Sequence, residues 1–171
     1  GLLEKPTDIL AKNGKIYIAD KGNNRIVILT EDMQPYAVLD SFEYDNKTEQ
    51  FNAPSGVYLT DNGDLYVADS MNGRIVVFDN TLKFKKITAV FSKDVLPDEF
   101  IYQPSSIAVN KAGRMFIISA NTNMGVMMVS PEGEFEGFIG AQRVSTNAFE
   151  LLKRAFMTDE QLERSASFVP V

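Results

Sequence analysis

Two carboxylates each stand five residues ahead of an arginine, Asp20 before Arg25 and Asp69 before Arg74. Asparagines fill the intervals, Asn23 and Asn24 in the first and Asn72 in the second. A guanidinium fork grips a carboxylate with two parallel N–H donors. Two such pairs on one face would form a ring of charge able to hold a ligand. The same groups also serve as a latch, in which the arginine caps its own turn and pairs the acid. Recurrence in successive units favours the latch, because a binding site rarely needs one group copied in every unit.

Other chemistry is sparse. The Asn-rich turns Gly22-Asn23-Asn24 and Asn121-Thr122-Asn123 offer oxygens of a kind Ca²⁺ accepts. They lack the spaced carboxylates and closing Glu of an EF-hand loop, and Asn is also a common turn residue. The chain has no His and no Cys, so it lacks the commonest metal ligand, the commonest general base and any thiolate. No catalytic residue, metal ligand or cofactor is assigned. Asp61 and Asp64 share a tight turn, where both are expected to be solvated. Tyr44, Phe51, Phe100 and Tyr102 lie in or beside long loops. Exposed together they would form a recognition patch; taken singly they plug junctions in the fold. Met124, Met127 and Met128 are expected to fill core, with Met128 following strand alternation.

Composition narrows the partners. The 171 residues are 44% hydrophobic and 23% charged, with a net charge of −6, which is ordinary for a globular domain and opposes a general nucleic-acid role. No apolar run is long enough to span a membrane as a helix.

The elements that position these groups repeat. Pro54 follows Pro6 by 48 residues, and Pro104 follows Pro54 by 50. Within the second unit, three apolar runs, Gly56–Thr60, Leu65–Ala68 and Ile75–Phe78, are joined by Asp61-Asn62-Gly63-Asp64 and by Asp69-Ser70-Met71-Asn72-Gly73-Arg74. The Gly of each turn supplies the positive φ of a tight antiparallel connection. Asn24 stands where Gly73 stands and can adopt the same left-handed conformation. The third unit departs, with Ser119 at the Asp position and Gly125 at the Arg position after one insertion. Fourth strands are expected at Tyr36–Phe42 and Lys85–Phe91, followed by long loops at Glu43–Asn52 and Ser92–Gln103. The second strands IYIA, LYVA and MFII do not alternate, which predicts burial on both faces. In such a meander the long loops emerge at the end that carries Asp20 and Asp69, so the binding face is expected there. After Gly140 the pattern turns helical, with a Phe149, Leu152, Phe156 stripe and a Thr158–Gln161 capping box.

The run Pro54-Ser55-Gly56-Val57, Asp61-Asn62-Gly63, Leu65 to Ser70 and Asn72 to Phe78 resembles an NHL repeat, one blade of a β-propeller. The resemblance implies an all-β chain: three four-stranded antiparallel blades, about half of a six-bladed ring, followed by a short helical segment. The blades would span residues 1–53, 54–103 and 104–141, with 142–171 a helical insert leading to further blades. The tail resembles that of NHL-repeat proteins from Gram-positive bacteria, which implies an extracytoplasmic location. It also implies a scaffold that binds protein or glycan; RNA binding, found in some cytosolic NHL proteins, is opposed by the net charge of −6, so no nucleic acid is expected. Asp20, Asn23, Asn24, Arg25, Asp69, Asn72, Arg74, Asn121, Asn123, Tyr44, Phe51, Phe100 and Tyr102 are the candidate contacts. The alternative is a six-bladed hydrolase or lyase whose metal site lies partly in other blades. Three blades leave two open faces, so self-association is expected. With neither His nor Cys, the purified, untagged chain should carry no stoichiometric transition metal; one equivalent of zinc by elemental analysis would overturn this.

Overall fold

The computed structural model describes residues 2–92, 95–96, 100–120 and 124–140. Fourteen strands form four antiparallel sheets among these residues. The first blade runs β1 (Pro6–Lys12), β2 (Lys15–Asp20), β3 (Arg25–Thr30) and β4 (Pro35–Leu39) in spatial order. A hairpin follows, β5 (Ser41–Tyr44) and β6 (Lys47–Gln50). The second blade is β7 (Pro54–Leu59), β8 (Leu65–Asp69), β9 (Arg74–Phe78) and β10 (Phe84–Thr88). The third is β11 (Pro104–Val109), β12 (Met115–Ser119), β13 (Val126–Val129) and β14 (Phe135–Ile139). The predicted helices of residues 145–165 lie outside the described residues.

The hairpin corrects the expectation of a polar loop at Glu43–Asn52. Asp45 and Asn46 take φ of 51° and 57°, the pair of left-handed residues that a two-residue hairpin turn requires. Only one face of this ribbon has a partner, through Phe42, so its sequence lacks a core-forming pattern. The fourth strands are also shorter than expected. β4 stops at Leu39, and Phe42 belongs to the hairpin instead. β10 stops at Thr88, where Ala89 takes a positive φ of 51°.

The first strands are innermost: β1 and β11 both lie against β7. Blade 2 is therefore covered on both sides. Every residue of β8 is buried, as the unalternating LYVA predicts. One core lies between blades 1 and 2 and includes Ile26, Ile28, Val67, Val76 and Phe78. The other lies between blades 2 and 3 and includes Ile75, Val77, Ile107, Ile117 and Met127. β12 does alternate, and Ile118 on its far face is 47% exposed, because no further blade covers it among the described residues. Blade 1 has the matching open surface at Ile9 and Val38. Met127, not Met128, is the fully buried methionine of the cluster.

Gly56 sets the spacing of blades 2 and 3. A Cβ there would meet the Ser105 carbonyl oxygen at 2.7 Å and the Ser106 Cα at 2.9 Å. Both are backbone atoms and cannot swing aside. The corresponding residue of blade 1 is Asp8, whose carboxylate instead accepts the Val57 N–H at 2.9 Å and ties β1 to β7. Gly56→Ala should therefore cost about 1–3 kcal/mol in guanidinium unfolding, as overpacking does. An unchanged midpoint would mean that the two inner strands can separate freely.

Candidate functional site

The β2–β3 and β8–β9 connections are single 3₁₀ turns, Lys21–Asn23 and Ser70–Asn72. Each ends on a left-handed residue, Asn24 at φ 52° and Gly73 at φ 58°, so the swap between them keeps the geometry. Each turn wraps a fully buried carboxylate. Asp69 Oδ1 accepts the Asn52 N–H at 2.7 Å, and Oδ2 accepts from Asn72 at 2.9 Å and from Arg74 Nε at 2.8 Å. Asn72 and Arg74 then both donate to the Gln50 carbonyl. Blade 1 repeats every bond. Asp20 accepts from the Glu4 N–H at 2.6 Å, from Asn23 at 2.8 Å and from Arg25 at 2.7 Å, while Asn23 and Arg25 donate to the Leu2 carbonyl. The acid thus holds its own turn and also clamps the segment that leads into the blade's first strand.

Blade 3 keeps half of this device. Ser119 Oγ accepts the Gln103 N–H at 2.9 Å, and the Ala120 N–H returns to the Gln103 carbonyl at 2.8 Å. A hydroxyl can replace the carboxylate's bond to the backbone but cannot hold an arginine, and the Arg position is Gly125. Asn121 and Asn123 lie outside the described residues.

The second latch has an added arm. Arg74 Nη1 meets Glu49 of the hairpin at 3.0 Å, and its guanidinium lies 5.4 Å from the Phe42 ring centroid. Sequence reading missed Glu49; the only signal was the Asp45-Asn46 turn that brings it back. Asn24 makes a further tie, accepting the Ala53 N–H at 2.8 Å and joining blade 1 to the start of blade 2.

The four loop aromatics divide between two junctions. Phe51 is buried beside Phe42 and Phe78. Tyr44 is half exposed, edge-on to Phe84 at 5.6 Å. Phe100 packs on Phe138, and Tyr102 on Phe91 at 4.9 Å. The Tyr102 hydroxyl is buried without a hydrogen-bond partner, and burial pushes its ionisation well above the ordinary tyrosine range. Of the four, Tyr44 is the one exposed.

At the opposite end, the expectation that Asp61 and Asp64 are both solvated holds for only one of them. Asp64 is buried and accepts Lys85 Nζ at 2.7 Å. Asp61 is exposed and pairs with Lys12 of blade 1 at 2.8 Å. This turn closes one side of a cleft of about 640 Å³ between blades 2 and 3, with Asn110 and Lys111 on the other side. Long-range register hides this cleft from the sequence. Among the described residues, no group of three or more acidic residues is placed to hold a metal ion.

With this geometry in place, likeness to other proteins can be read. Residues 51–78, which carry β7, β8 and β9, match the family model of the NHL repeat. The structural neighbours are β-propeller proteins, and the fold is an all-β, propeller-type array. Hydrazine synthase of Kuenenia stuttgartiensis superposes with a TM-score of 0.59 at 12% identity, over 81% of this chain and 37% of that one. A Bacteroides caccae protein of unknown function gives 0.57 at 11%, over 77% and 48%. A catalytically inactive histidine-to-alanine form of virginiamycin B lyase from Staphylococcus aureus, with quinupristin, gives 0.54 at 17%, over 84% and 43%. The chain therefore spans under half the length of these structures, and at such identities the likeness is one of fold. No curated protein sequence matches the chain.

Two predictions follow from the latch. Removing Asp69 leaves a mostly buried Arg74 without its main partner, so Asp69→Ala should cost on the order of 3 kcal/mol in urea unfolding. A loss below about 0.5 kcal/mol would show the carboxylate to be dispensable. For Asp20, burial alone pushes the carboxyl up. The bonds from Asn23, the Glu4 amide and Arg25, with the Arg25 charge, outweigh burial and hold it below its ordinary value. A folded-state value below the unfolded one gives stability that is complete above the usual carboxylate range and lost as pH falls through the lowered value. Between about pH 5 and about pH 2, the melting temperature of the native chain should fall more steeply than that of Asp20→Asn. Parallel curves would assign the acid sensitivity to other groups.

Proposed function

We propose that this chain is part of an extracytoplasmic, six-bladed NHL-repeat propeller, similar to those of Gram-positive bacteria, that serves as a protein- or glycan-binding scaffold. The observation that carries the reading is the repeated latch. Asp20, Asn23, Arg25, Asp69, Asn72 and Arg74 direct their polar atoms at the chain itself, in the same pattern in two blades. Groups spent in this way give a rigid surface, not a reactive one. The partner is taken on the long-loop face, over these turns and exposed Met71. The apolar faces at Ile9 and Val38, and at Ile118 and Ile139, support further blades in the ring.

The alternative is a propeller lyase or hydrolase. Its support is the likeness to streptogramin B lyase, with a TM-score of 0.53 at 13% identity. A neighbouring lyase is inactive in a histidine-to-alanine form, and this chain contains no histidine, so in this reading such a residue would come from other blades.

A photo-crosslinking residue placed at Met71 should give one discrete adduct with an envelope preparation, and the same residue at Gln34, on the opposite face, none. Equal labelling from both faces would remove the face assignment. Cleavage of a streptogramin B by the chain in the presence of a divalent cation would replace the scaffold reading with the lyase one. In isolation the chain should also pair with itself through its open blade faces; a clean monomer at high concentration in light scattering would count against this.

A further inference from the structure

The two blade junctions finish differently at the tight-turn end. In the first, Lys12 reaches across from β1. Its Nζ donates to the Leu59 carbonyl at 2.8 Å and to Asp61 at 2.8 Å. This ammonium bridges the mouth of the junction between blades 1 and 2. Counting from the proline that opens each blade, Lys12 occupies the same position as Thr60, and Asp61 the same as Lys111. Neither half of the bridge is therefore repeated in the second junction. Thr60 is also turned into its own loop, its one hydroxyl proton shared between Asn62 Oδ1 and the Asp64 carbonyl while its oxygen accepts the Asp64 N–H. The space that Lys12 spans in the first junction is left open in the second, and it is the 640 Å³ cleft.

The walls of that cleft combine three kinds of group. Tyr58 and Tyr66 are cross-strand partners on β7 and β8 and supply aromatic surface. Asp61 and Asp64 supply carboxylate oxygens that are already charge-balanced, one by Lys12 and the other by Lys85. Lys12, by its hydrogen bond and then its charge, with a smaller share from Lys111, holds Asp61 below its ordinary value, so it remains an acceptor at neutral pH. Asn110 spends its carbonyl oxygen on the Ala112 and Arg114 N–H groups, which leaves its NH₂ as a donor.

Paired carboxylates do not call for a cation. Aromatic faces call for an apolar surface. The remaining acceptors and amide donors call for a ligand with many hydroxyls. A sugar ring has all of these: one face of C–H groups to lie on tyrosine, and an equator of hydroxyls that both donate and accept. The volume lies within the range of small-ligand sites.

We propose that the cleft between blades 2 and 3 is a saccharide subsite, with a sugar ring against Tyr58 and Tyr66 and its hydroxyls shared among Asp61, Asp64 and Asn110. The subsite deepens the binding-module reading and rests on it, but lies at the end opposite the long-loop face. The Thr60 and Lys111 positions together act as its gate: a lysine at the first facing an aspartate at the second closes the junction, as Lys12 and Asp61 do between blades 1 and 2.

The test is ligand-observed NMR and titration of the whole chain with glucose, galactose, N-acetylglucosamine, glucuronate and their β-linked disaccharides. At least one should bind in the millimolar range or tighter, and Tyr58→Ala should weaken it about tenfold or more. The double variant Thr60→Lys with Lys111→Asp, which copies the first junction, should abolish binding while leaving the melting temperature within a few degrees, so loss of fold is not mistaken for loss of site. No binding by any member, or binding that survives both variants, overturns the proposal. Binding of inorganic phosphate that is lost in Lys111→Ala, with no response to sugars, also overturns it, in favour of an anion site. Crosslinking through Met71 reads the opposite face, so its persistence beside a silent sugar panel would fail the subsite alone. Its loss beside a positive panel would fail only the long-loop assignment.

Discussion

The buried carboxylate at the end of each second strand is the constraint on which the array depends. Asp69 has no solvent exposure and accepts three hydrogen bonds, two from the turn that follows it and one from the backbone that precedes its blade. A charge in that position is tolerable only when fully partnered. The partners come from residues 52, 72 and 74, so satisfying the charge fixes how the chain enters the blade, how it turns and how it leaves. Asp20 does the same for blade 1. In blade 3 a neutral hydroxyl keeps only the bond to the incoming backbone, and the arginine has gone with the acid.

Given that frame, packing between blades sets the rest. Blade 2 carries apolar side chains on both faces because it has a neighbour on each side. Its inner strand can approach blade 3 closely because Gly56 has no side chain, and blade 1 because Asp8 reaches across to the Val57 N–H. The hairpin between blades 1 and 2 adds a further plug. Phe42 stacks on Phe84 at 5.0 Å while Glu49 holds the second latch's arginine.

The two ends of the array consequently differ in what they offer. At the latch end, side-chain donors and acceptors are largely consumed by backbone, and what remains is shape. At the tight-turn end, the junctions depend on the residue that closes each inner strand. Lysine there bridges one junction; threonine leaves the other open. Two side-chain differences at repeated positions, Thr60 for Lys12 and Lys111 for Asp61, separate the open junction from the bridged one.

Much of this was written in the residues themselves. The strand–turn rhythm, the left-handed positions at Asn24 and Gly73, and the Asp–Arg brackets were legible because each is a local relation within about six residues, and the blade repeat because those local patterns recur at intervals of 48 and 50 residues. The double burial of LYVA was legible for the same reason, since composition along one strand reports both of its faces. The hairpin was not, because its anchors, Phe42, Tyr44 and Glu49, meet partners far along the chain and the ribbon around them is polar. Nor was the partner of Asp64, which comes from β10, or the joint role of Lys12, Leu59 and Asp61, which are separated by nearly a whole repeat. The sequence by itself therefore determined what each blade would be. Which groups meet between blades was decided by tertiary structure alone, because those contacts depend on how far one sheet slides and rotates against the next, and no local spacing records that.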